Sequence, residues 1–309
     1  LQYASALVRW KSARNTENWT QTLTLTMFPR NTINEKYYNF FYTSIYVCNR
    51  LIENLPDSPV DQVFKDEIEA EARLIRAINY FALVRLYGDV PLITETAKNI
   101  VETHSPRVSY MKIYKQILED LDFAQTYMRD PERQRQLTGT TGRPHKWAAT
   151  SFKVAVYAQI ACLIENKDYH FFDYKKNPER IPDFSFITME DGNPLLTADD
   201  AWRMCLSTAE EVMESGVYSL AYSYADLFRW TDLADYQLNE RIFVLQSTDN
   251  GATGVYTAVT VISAVTLEKS LSQPVNVYVS SAVYFSAASS SVDLPAYSGT
   301  VPYGSVCVS

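Results

Sequence analysis

SPVDQVFKDEIEAEARLIRAINYFALVRLYGDVPLIT, residues 58–94, decides the fold. Ser58 can cap a helix, and Pro59 suits the first helical position, where its missing N–H costs nothing. Asp61, three residues after Ser58, can complete a capping box and complements the positive helix end. Gly88 supplies a left-handed residue at the C-terminus, and Pro91 blocks any restart. The predicted body is about 29 residues, long for a globular protein. Ala70, Leu74, Ala77, Phe81 and Val84 form one apolar stripe, and Phe64, Ile68, Ile75, Ile78 and Ala82 form a second beside it. A helix apolar over so much of its circumference must be buried on several sides. Ala70, Ala72, Ala77 and Ala82 would let its neighbours come close. This is the central helix of an all-helical packing unit.

Outward from it, residues 34–55 predict a preceding helix with Tyr38, Phe41, Ile45, Cys48 and Ile52 on one face, broadened by Tyr42 and Leu51. Pro56 closes it, so the two helices make an antiparallel hairpin. Residues 89–108 form a connector. Ser109 caps a third helix to about Arg129, striped by Tyr110, Ile113, Ile117, Leu121, Ala124 and Met128. Glu119, Asp120 and Asp122 read as its solvated face. After a polar turn at 130–143, a fourth helix has Trp147, Ser151, Val154, Ala158 and Ala161 as its buried stripe. Trp147 reads as core there. Residues 166–196 read as a long loop of the kind that is often functional or mobile. Thr197 caps a fifth helix, with Asp200 in capping-box position, and Gly216 ends it. Trp202, Cys205, Ala209, Val212 and Met213 are expected to face inward.

EAEARLIRAINYFALVRLYGDVPLIT resembles the signature segment of the SusD/RagB family. In that family a Glu-Ala-x-x-x-Arg-Ala helix ends in a Tyr-Gly-x-Val-Pro-Leu turn. Glu71, Ala72, Arg73, Arg76, Ala77, Tyr80, Phe81, Leu86, Tyr87, Gly88, Val90, Pro91 and Leu92 carry the match. IYVCNRLIENL resembles the family's Asn-x-x-Ile segment, and SPRVSYMKIYKQILEDLDFA also resembles the family at its position. GTTGRPHKWAATSFKVAVYAQIACLI is similar to its Gly-Arg-x-Thr-Lys-x-Ala-Ala pattern through Gly142, Pro144, Lys146, Ala148, Ala149, Lys153, Ala155 and Tyr157. VYSLAYSYADLFRW and NERIFVLQST resemble later segments, so the likeness runs over about residues 38–250.

The resemblance implies a mostly α, SusD-like fold built on tetratricopeptide-like helix pairs, with a loop- and strand-rich ligand-binding portion. Residues 1–250 would be that helical domain, incomplete at its N-terminus. Residues 251–309 would be an irregular or strand-rich tail, with only Glu268, Lys269 and Asp293 charged. β-Branched residues and Tyr favour strands in that tail. The resemblance further implies a surface protein, lipid-anchored on the extracellular face of the outer membrane through an N-terminal segment not in this sequence. It would capture a glycan or an oligopeptide and deliver it to a SusC-like TonB-dependent transporter.

Composition narrows the alternatives. The net charge of −8 argues against nucleic-acid binding, which needs a basic face. No run of 18 apolar residues spans a membrane. Cys48, Cys162, Cys205 and Cys307 show no zinc spacing, and the first three read as small buried hydrophobes. His104, His145 and His170 make no i, i+4 pair, so neither a metal site nor a Ser-His-Asp site is indicated, and no cofactor is expected. A hydrolase would need paired carboxylates in a cleft, and no spacing singles out a pair. A helical-repeat adaptor that binds only protein is the other competing reading.

Sugar rings present an apolar face that stacks on aromatics and hydroxyls that need planar polar partners. With 22 Tyr and 5 Trp the chain is rich in such rings. Trp19, in NTENWTQTLTLT, and Trp230 and Tyr236, in RWTDLADYQLN, sit among Asn, Asp and Gln, and are the ligand-binding candidates. For Trp10 and Trp19 the other reading is a ring folded back onto the helices.

Overall fold

Two cap residues compete for the start of the central helix, and Asp61 wins. It adopts φ −66°, ψ 158°, and its carboxylate accepts the Phe64 N–H, giving a 26-residue helix, Gln62–Tyr87. The Ser58 N–H bonds the Leu55 carbonyl at 3.1 Å in the turn that ends the preceding helix, so it does not go to the Asp61 carboxylate as a Ser58 capping box would need. The start expected at Ser58–Pro59 is therefore corrected by three residues. Gly88 takes φ 66° at the far end and its N–H bonds the Val84 carbonyl, as the sequence predicts.

The computed structural model describes residues 32–97, 104–133, 143–167, 178–219 and 241–244, with strands at 257–263, 266–268, 276–278 and 281–286. Its helices are α1 (Thr32–Asn54), α2 (Gln62–Tyr87), α3 (Tyr110–Tyr127), α4 (Lys146–Glu165) and α5 (Ala198–Glu214). Each packs chiefly on the next: α1 on α2, α2 on α3, α3 on α4, α4 on α5. A ladder of sequential helix hairpins is the tetratricopeptide-like arrangement expected. Two short strands, β1 (Val90–Pro91) and β2 (Arg107–Val108), pair antiparallel between α2 and α3.

The core follows the predicted stripes. Ala70, Leu74, Ala77, Phe81 and Val84 of α2 are buried against Ile113, Ile117, Leu121 and Ala124 of α3. α4 is apolar nearly all round because it lies between α3 and α5. By length and composition it could cross a membrane, but half of it is buried inside the fold, as in a core helix. Thr197 and Asp200 form the expected capping box, and Ser109 caps α3 by accepting the Met111 N–H.

Four expectations need correction. Met213 is exposed, because it sits one position past Val212 at the edge of the inward face. The second stripe of α2 stays partly open: Phe64 and Ile75 are each 40% exposed, and Leu51 across from them is exposed too. Asp120 is not solvated but 0% exposed. The segment 178–196 is not a loose loop throughout, because Phe184, Ile187 and Leu195 are buried in the core. His170 lies outside the described residues.

Beyond α5, β3 (Arg241–Val244) pairs antiparallel with β4 (Thr257–Ser263), which pairs with β7 (Ser281–Ser286). β5 (Thr266–Glu268) and β6 (Asn276–Tyr278) form a separate hairpin. Ile242 and Phe243 of β3 are buried, and the strand lies against α4.

Candidate functional site

The turn that follows α2 is held by side chains from α1 and α2. Tyr80 hydroxyl both donates to the Ile93 carbonyl, 2.9 Å, and accepts its N–H, 2.7 Å. Tyr42 donates to the Pro91 carbonyl at 2.6 Å, and Asn49 Nδ2 donates to the Ile93 carbonyl at 2.9 Å. Arg76 lies beneath them. Its Nε and Nη2 donate to the two Asp120 oxygens at 2.8 and 2.7 Å, while Nη1 reaches Asn49 Oδ1 at 2.9 Å and the Thr94 carbonyl at 3.3 Å. Gln116 adds a donor to Asp120 at 3.2 Å. The charges are thus paired, and side chains meet backbone groups of the segment beside the short β1–β2 pairing. Burial disfavours the Arg76 charge, but the Asp120 carboxylate outweighs it and holds the guanidinium above its ordinary pKa. The Cys48 thiol nearby is pushed up to about 11, mainly by burial and against the pull of Arg76, so it is protonated and unreactive.

Two quoted motifs meet in space. Glu71 of the α2 motif accepts from Arg143 of the Gly-Arg motif, and the neighbouring Glu67 takes Arg129 at 2.6 Å and Arg133 at 2.8 Å. Burial raises the Glu71 carboxyl's pKa, with Arg143 opposing. The α3–α4 connection is thereby clamped to the N-terminal half of α2. On the opposite side Asp89 accepts the Tyr110 N–H at 3.0 Å and pairs with Arg180 at 2.7 Å. Tyr110 hydroxyl donates to the Arg180 carbonyl at 3.0 Å. Phe184 packs edge-on against Tyr110 and Tyr114, with centroids 6.4 and 5.7 Å apart. This fixes the 178–196 segment to the end of α3 and leaves Phe186 exposed.

One groove of about 290 Å³ opens between α1 and α2. Val47, Cys48, Leu51, Ile68, Ala72 and Ile75 line it, and the Glu71–Arg143 pair lies at its border.

The candidates Trp19, Trp230 and Tyr236 lie outside the described residues. Of the rings described, Trp202 is half-buried against the core. Trp147 is half-buried with the Lys146 ammonium 4.7 Å above its ring, at the edge of the stripe rather than deep in it. Asp120, Glu67, Asn49 and Phe184 were not read as interior from the sequence. Asp120 had a signal: it falls on the spacing Ile113, Ile117, Asp120, Ala124, inside the apolar stripe. The buried carboxylates Asp120 and Glu67 are neutralised by the guanidinium groups of Arg76 and Arg129, which ties α2 to α3 and to the segment after it. Among the described residues no group of three or more His, Cys, Asp or Glu is assembled to hold a metal ion.

Comparison with known proteins gives a consistent answer. A family model, SusD-like, described as starch-binding and associating with the outer membrane, matches residues 2–158. SusD-like protein P25 of Formosa agariphila is 29% identical over 121 residues, 38% of this chain and 22% of that protein. A SusD homolog from Bacteroides thetaiotaomicron superposes with a TM-score of 0.59 at 21% identity, over 77% of this chain and 40% of that one. A crystal structure with xylogluco-oligosaccharide gives a TM-score of 0.54 at 20% identity, over 76% and 39% of the two chains. The likeness in the solved structures is of fold. The chain spans about a fifth of the curated relative and two fifths of these solved chains.

Proposed function

The chain belongs to the SusD-like family, and from that premise we propose that it captures a glycan at the cell surface and delivers it to a TonB-dependent transporter in the outer membrane. The observation that carries this reading is the family match over residues 2–158, together with a helical scaffold of the same fold as a protein crystallised with an oligosaccharide. The protein binds and hands over its ligand without cleaving it. A lipid anchor at the N-terminus of the full protein holds it on the extracellular face. An oligopeptide is the second ligand class.

In this reading the helices supply rigidity and the connections supply recognition. The Arg76–Asp120 network, the Glu67 and Glu71 clamps and the Asp89–Arg180 pair fix where each connection leaves the scaffold. Trp19, Trp230 and Tyr236 are proposed as the stacking platforms. Rigid aromatic rings contribute contact area with little loss of side-chain freedom, and neighbouring Asn, Asp and Gln side chains meet the hydroxyls.

The test is a titration calorimetry series with starch and xyloglucan oligosaccharides, followed by chromatography of the recovered sugar. Saturable binding with sugar returned at its original length is the expected result. Shorter products would sink the binding-protein reading, and no uptake of any glycan or peptide would favour the protein-only adaptor. Gentle detergent extraction and mass spectrometry test delivery, with a TonB-dependent barrel of about 100 kDa, typical of such transporters, as the expected companion. Recovery of the protein alone from soluble fractions would overturn that part.

A further inference from the structure

We propose that the outer face of a small hairpin at residues 186–196 is a stacking subsite for a neutral glycan, with Phe186 as the platform and Leu196 beside it. The subsite rests on the glycan-capture reading above and gives that ligand a second place to sit. The hairpin's register follows from its bonds. Met189 N–H bonds the Asn193 carbonyl at 2.8 Å, Leu195 N–H bonds the Ile187 carbonyl at 2.8 Å, and Thr188 bridges Pro194 between them. Gly192, at φ 82°, closes the turn, with its N–H on the Met189 carbonyl at 2.9 Å. Side chains alternate across such a ladder, and the same register sets Phe186 opposite Leu196. Ile187 and Leu195 take the inner face and are buried in the core. Phe186, 38% exposed, and Leu196, 64% exposed, share the outer face with Thr188 and Pro194.

The ring is held before any ligand arrives. The buried Phe184 ring packs 5.9 Å from Phe186, and Asp183 N–H bonds the Met111 sulfur at 3.1 Å, which ties the start of the hairpin to α3. A platform fixed in advance gives contact area with little loss of freedom. Thr188, Asp191 and Asn193 are exposed on the hairpin and offer a hydroxyl, a carboxylate and an amide to sugar hydroxyls. Asp191 is itself oriented, because it accepts the Asn193 N–H at 2.9 Å. Charge selects among glycans. Residues 178–203 carry six carboxylates against Arg180 and Arg203, which pair with Asp89 and Asp200. Uronate or sulfate groups would therefore meet like charge, whereas a neutral sugar would not. Size argues against a protein partner. A stable protein contact needs about 800 Å² on each side. Burying an entire phenylalanine side chain covers only about 200 Å², so two partly exposed side chains match one or two sugar rings.

Fluorine resonance spectroscopy of the full chain tests this. Para-fluorophenylalanine replaces Phe186 alone, and the protein is titrated with maltoheptaose, a xyloglucan heptasaccharide and tetragalacturonate, with calorimetry alongside. The expected result is a saturable fluorine shift with at least one of the two neutral sugars and none with tetragalacturonate. Phe186→Ala should weaken the calorimetric affinity about fivefold or more, and Phe186→Tyr should keep it. Ile181→Ala, exposed on the same segment but off the hairpin, should leave it unchanged. Calorimetric binding of a neutral sugar without a fluorine shift, or with Phe186→Ala binding as tightly as the parent chain, would overturn the subsite and leave glycan capture standing. No binding of any of the three sugars would overturn both. A saturable shift with tetragalacturonate would overturn the assignment to neutral glycans. Should Phe186→Ala fail to fold, the fluorine shift and Phe186→Tyr decide between these outcomes.

Discussion

Arg76 and Asp120, 44 residues apart in the chain, meet in a two-pronged ion pair buried between α2 and α3. The Asp120 side chain has no exposed surface, and that of Arg76 is 5% exposed. Such a pair is weak evidence for net stability, since two charges had to leave water to form it. Losing one partner is another matter. Asp120→Ala is expected to destabilise the fold by about 3–5 kcal/mol, because the Arg76 guanidinium is left buried without its counter-charge. The double substitution Arg76→Met with Asp120→Leu should cost less than the two single changes added. Urea denaturation of the four proteins closes the cycle, and strict additivity would refute the coupling.

Tyr80 holds Ile93 by both its N–H and its carbonyl. Tyr80→Phe keeps the ring and removes both bonds. The expected loss is about 1–3 kcal/mol, the cost of leaving a buried polar group unmet. It should be local: amide exchange in residues 90–94 should quicken well before that in α3 or α4. Uniform acceleration across all helices would contradict the idea that this hydroxyl serves the turn.

Gly88 has φ 66° and ψ −120°, a conformation open to glycine and strained for any residue with a Cβ. Gly88→Ala is expected to cost roughly 1–3 kcal/mol. Thermal unfolding measures it. Gly88→Asn should be no better than alanine, since asparagine tolerates positive φ chiefly where ψ is also positive.

His145 begins α4 and is buried beside the Tyr218 hydroxyl, 3.3 Å from its Nε2, with the rings stacked. Burial pushes its pKa down to about 4, against smaller upward contributions from the Ile242 backbone and Asp130. The unfolded chain, with an ordinary histidine, binds the proton from about pH 6.5 downward. Between those values the unfolded state holds more protons, so stability falls as pH drops from about 6.5 to 4. The full effect is on the order of 3 kcal/mol. Carboxylates add their own slope, so the diagnostic is His145→Gln. Its stability difference from the parent chain should shrink or reverse between pH 7.5 and 4.5, and a constant difference would rule this histidine out.

For the ligand, Trp19→Ala, Trp230→Ala and Tyr236→Ala are each expected to weaken glycan binding about tenfold, or roughly 1.4 kcal/mol. Trp202→Ala, which removes a ring packed on the core, should lower stability and leave the affinity of the folded fraction unchanged. The reverse pattern would move the site to the helical scaffold.

Periodicity made the helices legible, because the main stripes that 3.6-residue spacing marks, such as Ala70–Leu74–Ala77–Phe81–Val84 of α2, are buried. Caps were legible where one candidate stood alone, as at Ser109 and Thr197. They were not where two competed: Ser58 and Asp61 are both good caps, and it is the Asp61 carboxylate that accepts the Phe64 N–H while Ser58 stays in the preceding turn. Asp120 was misread because its acidic neighbours Glu119 and Asp122 drew it to the solvated face despite its place on the α3 stripe, and its partner Arg76 sits on another helix. The open stripe of Phe64 and Ile75 could not be told from core, since periodicity reports a face and not what covers it. The proposed platforms lie outside the described residues, so their reading still rests on composition and neighbouring polar groups.

The sequential stacking of α1 to α5 carries a consequence for how such a protein can change over evolutionary time. Each helix leans mainly on its neighbours in the chain, so a lengthened connection disturbs one junction and not the whole assembly. Doubling a connection costs only about 0.6 kcal/mol in closure entropy. The connecting segments can therefore be exchanged and enlarged almost independently of one another. If the chain captures glycans as proposed, a lineage meeting a new polysaccharide has that freedom at the surface while the buried ion pairs beneath stay as they are.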